Sequence, residues 1–185
     1  MKSIFKADLK VLKMSCTEIY SISDKHCYHL GETQNAWRGA MYVWNQIAQK
    51  YFGLEGFPHF DENMRKRIWN ANNEHQLTNA EIIVLASTMD RVMVKATDTA
   101  RLIEAFEEYS KEHPNSSIGE QAEILKASEL SPEHYIAWCQ TSVTSFHFAP
   151  TYIEESDECV YHDLSDGWDL FEQFEYVKAK RQGDK

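Results

Sequence analysis

Two short runs of the chain set metal-ligating side chains three residues apart: His26-Cys27-Tyr28-His29 and Cys159-Val160-Tyr161-His162. Imidazole nitrogen and thiolate sulfur are the ligands that zinc takes in tetrahedral sites. His26, His29, Cys159 and His162 therefore make a candidate four-ligand set that would stitch the N-terminal segment to the C-terminal one. Their spacings match no zinc finger, and ligand pairs arise easily by chance in a chain with eight His and four Cys. The competing reading is buried cysteines and hydrogen-bonded or exposed histidines. Glu104, Glu108 and Glu112 recur at i, i+4 on one helical face, a spacing that can hold a divalent ion or pair an acid with a base. No histidine stands at a matching offset. Cys139 or Ser145 with His147 would supply a nucleophile and a base, but neither sits in a nucleophile elbow. A P-loop, a dinucleotide-binding glycine fingerprint and a His-Glu-x-x-His helix are all missing from the sequence. The expectation is no catalytic residue and no cofactor, with a metal-dependent hydrolase or zinc-stabilised module built on the four ligands as the alternative.

Charge placement carries more information than any motif. The formal net charge is -10, which disfavours a sequence-independent grip on nucleic acid, because neutralising phosphates needs a cationic surface. Residues 1–100 hold 12 basic and 11 acidic side chains, whereas 101–185 hold 7 basic and 18 acidic. Between Thr151 and Tyr176 there is no Lys or Arg, yet Glu154, Glu155, Asp157, Glu158, Asp163, Asp166, Asp169, Glu172 and Glu175 all fall there. Such a block repels itself. Tyr152, Tyr161, Trp168, Phe171, Phe174 and Tyr176 are interleaved with these anions, and disordered acidic tracts lack aromatics of this kind. The segment is thus expected to fold with aromatics inward and carboxylates outward, adding to Glu104 and Glu108 on the preceding helix.

An ordered array of fixed carboxylates can occupy a site that a basic protein uses for phosphates, and electrostatic steering speeds its arrival. The plainer reading is a solvated acidic surface. In type, though through no motif, a small, helical, acidic, aromatic-rich chain without catalytic signatures is similar to the accessory inhibitors of phages and other mobile elements, DNA-mimic and anti-CRISPR proteins among them. That resemblance implies an inhibitor or regulator of a basic, nucleic-acid-binding protein, with no direct contact to nucleic acid or membrane. Its expected partner-contacting residues are Glu154, Glu155, Asp157, Glu158, Asp163, Asp166, Asp169, Glu104 and Glu108. A third reading is a structural or assembly subunit, a homodimer included, with Trp and Met stripes running onto an interface.

Whichever chemistry applies, the elements that must position these residues are mostly helical by periodicity. Phe5, Ala7, Leu9 and Val11 alternate with polar residues, the period of a half-buried strand. Trp37, Ala40, Met41, Trp44, Ile47, Ala48 and Tyr51 share one helical stripe, with Thr33 as cap and Gly53 as stop, and are read as core. Asp61 caps a helix to about His75. Thr78-Asn79-Ala80-Glu81 has capping-box spacing, and the pattern from Ile82 to Tyr109 reads as two helices meeting near Thr97. Pro114 stops the second, Ser117-Ile118-Gly119-Glu120 opens a short helix, and Ser131-Pro132-Glu133 gives a helix turn before a strand through Val143. Residues 151–163 are irregular or contain strand, and Ser165 caps a last helix.

The resulting expectation is an α+β fold, predominantly α-helical: a single compact domain over 1–177 with a small β-sheet drawing on residues near Val143 and Val160, then a polar tail over 178–185. The four cysteines are scattered, and the first 25 residues hold no unbroken apolar core. Reduced thiols and a cytoplasmic location, the host cytoplasm for a phage-encoded chain, are therefore expected.

Overall fold

A computed structural model of the chain describes residues 15–35, 38–54, 61–141 and 145–175. The expected opening strand at 5–11, Trp37, Val143 and the polar tail lie outside them. About 47% of the described residues are helical and 22% are in strands, and the organising element is a five-stranded mixed sheet. The expectation of a predominantly helical fold with a small sheet is thereby overturned.

Strands β1 (Cys16–Ile22) and β2 (Cys27–Gln34) form an antiparallel pair, and β4 (Tyr135–Gln140) lies antiparallel on the other side of β1. Next come β3 (Val92–Lys95), antiparallel to β4, and β7 (Trp168–Asp169), parallel to β3, giving the order β2-β1-β4-β3-β7. Strands β5 (Thr151–Ile153) and β6 (Glu158–Val160) form a separate two-stranded hairpin. Val160 therefore belongs to this hairpin and not to the main sheet.

Side chains alternate across the sheet as the period of two requires. Ile19, Val92, Val94, Ile136 and Trp138 face a cluster built from every helix: α1 (Ala40–Phe52), α2 (Glu62–Trp69), α3 (Ala71–Glu74), α4 (Asn79–Ser87), α5 (Thr99–Glu112), α6 (Ile118–Ala127) and α7 (170–175). Ile22, Met93 and Ala137 point to the other face, where Phe148 covers them with Tyr20, Phe146 and Leu164 around it. The sheet thus carries helices on one side and Phe146, Phe148 and Leu164 on the other.

The expected helix through Met89–Ala96 is a strand instead. Thr88 ends α4, Arg91 takes a left-handed φ of 66°, and Val92, Met93 and Val94 are consecutively buried. A strand covered on both faces shows no alternation, and its apolar run happened to fit a helical template. The expected long second helix also breaks, at Asn70 between α2 and α3, although Asp61 does accept the Met64 N–H at 2.7 Å.

Caps set by tertiary contacts were misplaced in the same way. Thr33 lies in β2, and α1 is capped from Asn35, whose Oδ1 accepts the Ala40 N–H at 2.9 Å. Gly39 makes this possible, since a Cβ there would lie 1.8 Å from that oxygen. Asn35 Nδ2 in turn donates to Gln140 Oε1 at 3.0 Å, which also accepts the Thr17 hydroxyl at 2.7 Å, tying α1 to β1 and β4. All three side chains are buried. Asn35→Ala should cost about 1–2 kcal/mol through the lost cap and a half-satisfied Gln140, read as a lower urea midpoint at unchanged slope. Ser117 makes no side-chain cap and donates instead to the Arg38 carbonyl. Residues 131–134 form a turn before β4 without a helix. Asp169, not Ser165, caps the last helix, accepting the N–H groups of Phe171 and Glu172 at 3.0 Å each.

Candidate functional site

The hairpin at 151–160 is exposed at every position. Its register pairs Thr151 with Val160, Tyr152 with Cys159 and Ile153 with Glu158. Thr151, Ile153, Glu158 and Val160 therefore share one face, while Tyr152 and Cys159 share the other. The loop Glu154-Glu155-Ser156-Asp157 closes with Asp157 at a left-handed φ of 55°, a conformation aspartate tolerates, and its carboxylate accepts the Tyr152 hydroxyl at 2.5 Å. Tyr152 is 56% exposed, Val160 51% and Ile153 36%, so three of the five exposed large hydrophobics among the described residues sit on this ribbon. Glu154, Glu155, Asp157 and Glu158 have no Lys or Arg partner among the described residues. Two-stranded ribbons without a core are marginal alone, and this one displays both charge and apolar area to solvent.

The rest of the acidic block divides by role. Glu172 pairs with Lys95 at 2.5 Å and Glu175 with Arg101 at 2.7 Å. Asp169 is only 7% exposed and is committed to capping α7, with Lys95 4.0 Å away. These three fasten α7 to β3 and α5, and Asp169 leaves the set able to touch a partner. Asp163 is exposed and accepts the Ser165 N–H at 2.9 Å, which holds its carboxyl below the ordinary range. Glu104 and Glu108 are exposed on α5. The aromatics divide too: Phe171 and Phe174 are buried, whereas Tyr152 points to solvent.

At the foot of the hairpin the chain builds a second feature that spacing alone had not revealed. Asp163 caps a 3-10 turn at Leu164–Asp166, which carries Asp166 back toward His162. Gly167 then passes so close to the sheet that a Cβ would lie 2.9 Å from Met93 Sδ and 3.0 Å from Phe148 Cζ. His147 lies in the turn closed by the Ala149 N–H to the Phe146 carbonyl, between Phe146, stacked on Tyr20 at 4.2 Å, and the buried Phe148. Those two anchors bring the His147 ring edge-on to His162, with centroids 4.5 Å apart. Burial pushes the His147 imidazole below its ordinary pKa, reinforced by His162 and Arg91 and opposed by Asp166 and Asp90.

The four ligands read from spacing do not assemble. Among the described residues, the group of three or more ligating side chains close enough to share an ion is His147, His162 and Asp166. His26 stacks on Tyr28 at 5.4 Å and tilts against His134 at 5.7 Å, His29 sits edge-on to Tyr20, and Cys159 is exposed on the hairpin. His26 and Tyr28 line a cleft of about 600 Å³ with Ser21, Glu133 and His134. There Ser21 Oγ and His134 Nδ1 lie 2.9 Å apart. Ser21 is buried near the end of β1, and this pair fixes the turn before β4 to the sheet. Of the residues considered for nucleophilic chemistry, Cys139 is buried in β4, Ser145 is exposed and His147 is half-buried.

Comparison of the chain with protein-family models, curated proteins and solved structures returned no match. Among the described residues no helix is long and apolar enough to cross a membrane.

Proposed function

We propose that this chain is a non-catalytic binding protein that docks a basic, nucleic-acid-binding protein through the 151–160 hairpin and inhibits or regulates it by standing in for phosphate. One observation carries the reading: ten consecutive exposed residues in which four carboxylates without Lys or Arg partners flank Tyr152, Ile153 and Val160. Interfaces combine an apolar or aromatic anchor with a charged rim, and this ribbon supplies both in one protruding element. The anions steer approach to a cationic surface, and the tyrosine and aliphatic side chains add burial that a merely solvated acidic face would not offer. Glu104, Glu108, Asp163 and Asp166 extend the negative field without being required for the anchor.

Charge reversal is the test. Immobilised wild-type chain and the triple variant Glu154→Lys, Glu155→Lys, Glu158→Lys are incubated with extract of the source organism at low and moderate salt, and retained proteins are quantified. The wild type should retain one or a few strongly basic proteins. The triple variant should bind them roughly 10- to 100-fold more weakly at low salt, the gap narrowing as salt rises. Retention indifferent to the three reversals contradicts the reading.

A further inference from the structure

Among the described residues, two neighbouring histidines each bury a ring nitrogen without a hydrogen bond. His147 Nε2 and His162 Nε2 are both shielded from solvent and lack a hydrogen-bond partner, although a buried polar atom left unsatisfied costs about 1–3 kcal/mol. They are not scattered orphans: the two rings meet at 4.5 Å, and a carboxylate oxygen of Asp166 joins their ligand atoms within 4.8 Å of one another. His162 Nε2 and Asp166 Oδ2 are 3.6 Å apart. Ligand atoms around a tetrahedral zinc ion at about 2.0–2.1 Å stand roughly 3.3 Å from each other, so that pair is near the required separation, and the His147 ligand atom lies within 4.8 Å of both.

We propose that His147, His162 and Asp166 bind one divalent transition-metal ion, with Zn2+ the best match. Two imidazoles and one carboxylate are borderline ligands suited to zinc and its first-row neighbours and poorly suited to Ca2+ or Mg2+, which take all-oxygen shells. Such a set satisfies both orphaned nitrogens at once, which no hydrogen bond to a neighbouring side chain does here. It also leaves a coordination position for water or a partner's side chain. Structurally the ion ties the exit of the hairpin, at His162, to the turn at 146–149 on the far face of the sheet, closing a loop that contains the entire acidic ribbon. The site does not depend on what the hairpin binds.

Metal-free protein titrated with Zn2+ in a calorimeter, and with Co2+ followed by visible absorption, tests this. The expected result is one ion per chain, a Co2+ spectrum with nitrogen and oxygen ligation, and a melting temperature that rises with Zn2+ concentration. His147→Ala and His162→Ala should each weaken Zn2+ binding by at least about 100-fold. Asp166→Asn, at an exposed position that leaves the fold intact, should weaken it by about tenfold or more and serves as the deciding variant if a histidine variant loses its far-UV spectrum. His26→Ala and the triple hairpin reversal should leave the affinity unchanged. Absence of stoichiometric binding overturns the proposal, as does binding that survives Asp166→Asn and His162→Ala or that disappears with His26→Ala.

Discussion

Trp138→Ala is expected to remove about 3–5 kcal/mol of folding stability. Trp138 lies in β4 at 6% exposure, with its ring 6.3 Å from that of Phe106 in α5, and its indole N–H donates to Gln121 Oε1 in α6 at 3.2 Å. The side chain therefore joins the sheet to two helices, and its removal opens a cavity where neither layer can collapse freely. It also strands Gln121, which is 2% exposed. Trp138→Phe separates these effects: it keeps much of the volume but leaves the Gln121 oxygen unpaired, and should cost about 1–3 kcal/mol. Urea unfolding of the three proteins checks the order wild type, Trp138→Phe, Trp138→Ala. A Phe variant as stable as wild type would show that the indole hydrogen bond contributes nothing.

Glu81→Ala should cost about 2–4 kcal/mol, for a different reason. Glu81 is 2% exposed, and its carboxylate accepts from Lys50 Nζ at 2.8 Å, the Tyr51 hydroxyl at 2.7 Å and the Thr78 N–H at 2.8 Å. The Thr78 hydroxyl accepts the Glu81 N–H in return, completing a capping box at the start of α4. Removing the acid leaves the donors from α1 and the Thr78 N–H without their acceptor, although Lys50 is half exposed and regains water. Burial alone would raise the Glu81 pKa; Lys50, Tyr51 and Thr78 outweigh it and hold the carboxyl below the ordinary 4.5. A depressed native value means that the stabilisation is fully present above about pH 4.5 and is lost as pH falls through the native pKa. The gap between wild type and Glu81→Gln should therefore be wide at neutral pH and shrink in acid, in paired urea titrations across that window.

Local chemistry was legible in the residues and tertiary chemistry was not. The Thr78–Glu81 box, the Asp61 cap and the Gly53 stop, with its left-handed φ of 64°, need only neighbours in sequence, and each is present. The stripe on α1 was correctly read as core through Ala40, Ile47 and Ala48. In β1 the buried Thr17, Ile19 and Ser21 do alternate with Glu18 and Tyr20, but two of the three buried residues are polar, which hides the strand from a hydrophobic template. They are buried because Gln140 and His134 satisfy them, contacts 123 and 113 residues away in the chain. For the sites, the sequence marked 151–163 as acidic, aromatic and either irregular or strand-containing, while the hairpin and its detachment from the main sheet emerge only from strand pairing. Spacing grouped His162 with His26, His29 and Cys159, whereas the fold groups it with His147 and Asp166: Asp166 stands four residues on in sequence, and His147 reaches it because Phe146 and Phe148 seat their turn on the sheet.

If the hairpin stands in for phosphate as proposed, the hairpin and duplex DNA are mutually exclusive occupants of one surface. The most direct measurement is competition: the chain is bound to the basic protein that it retains, and duplex DNA is added at constant ionic strength while the complex is followed by light scattering. Release of the chain in proportion to DNA occupancy is the predicted result. A stable complex holding chain, partner and DNA together would contradict it.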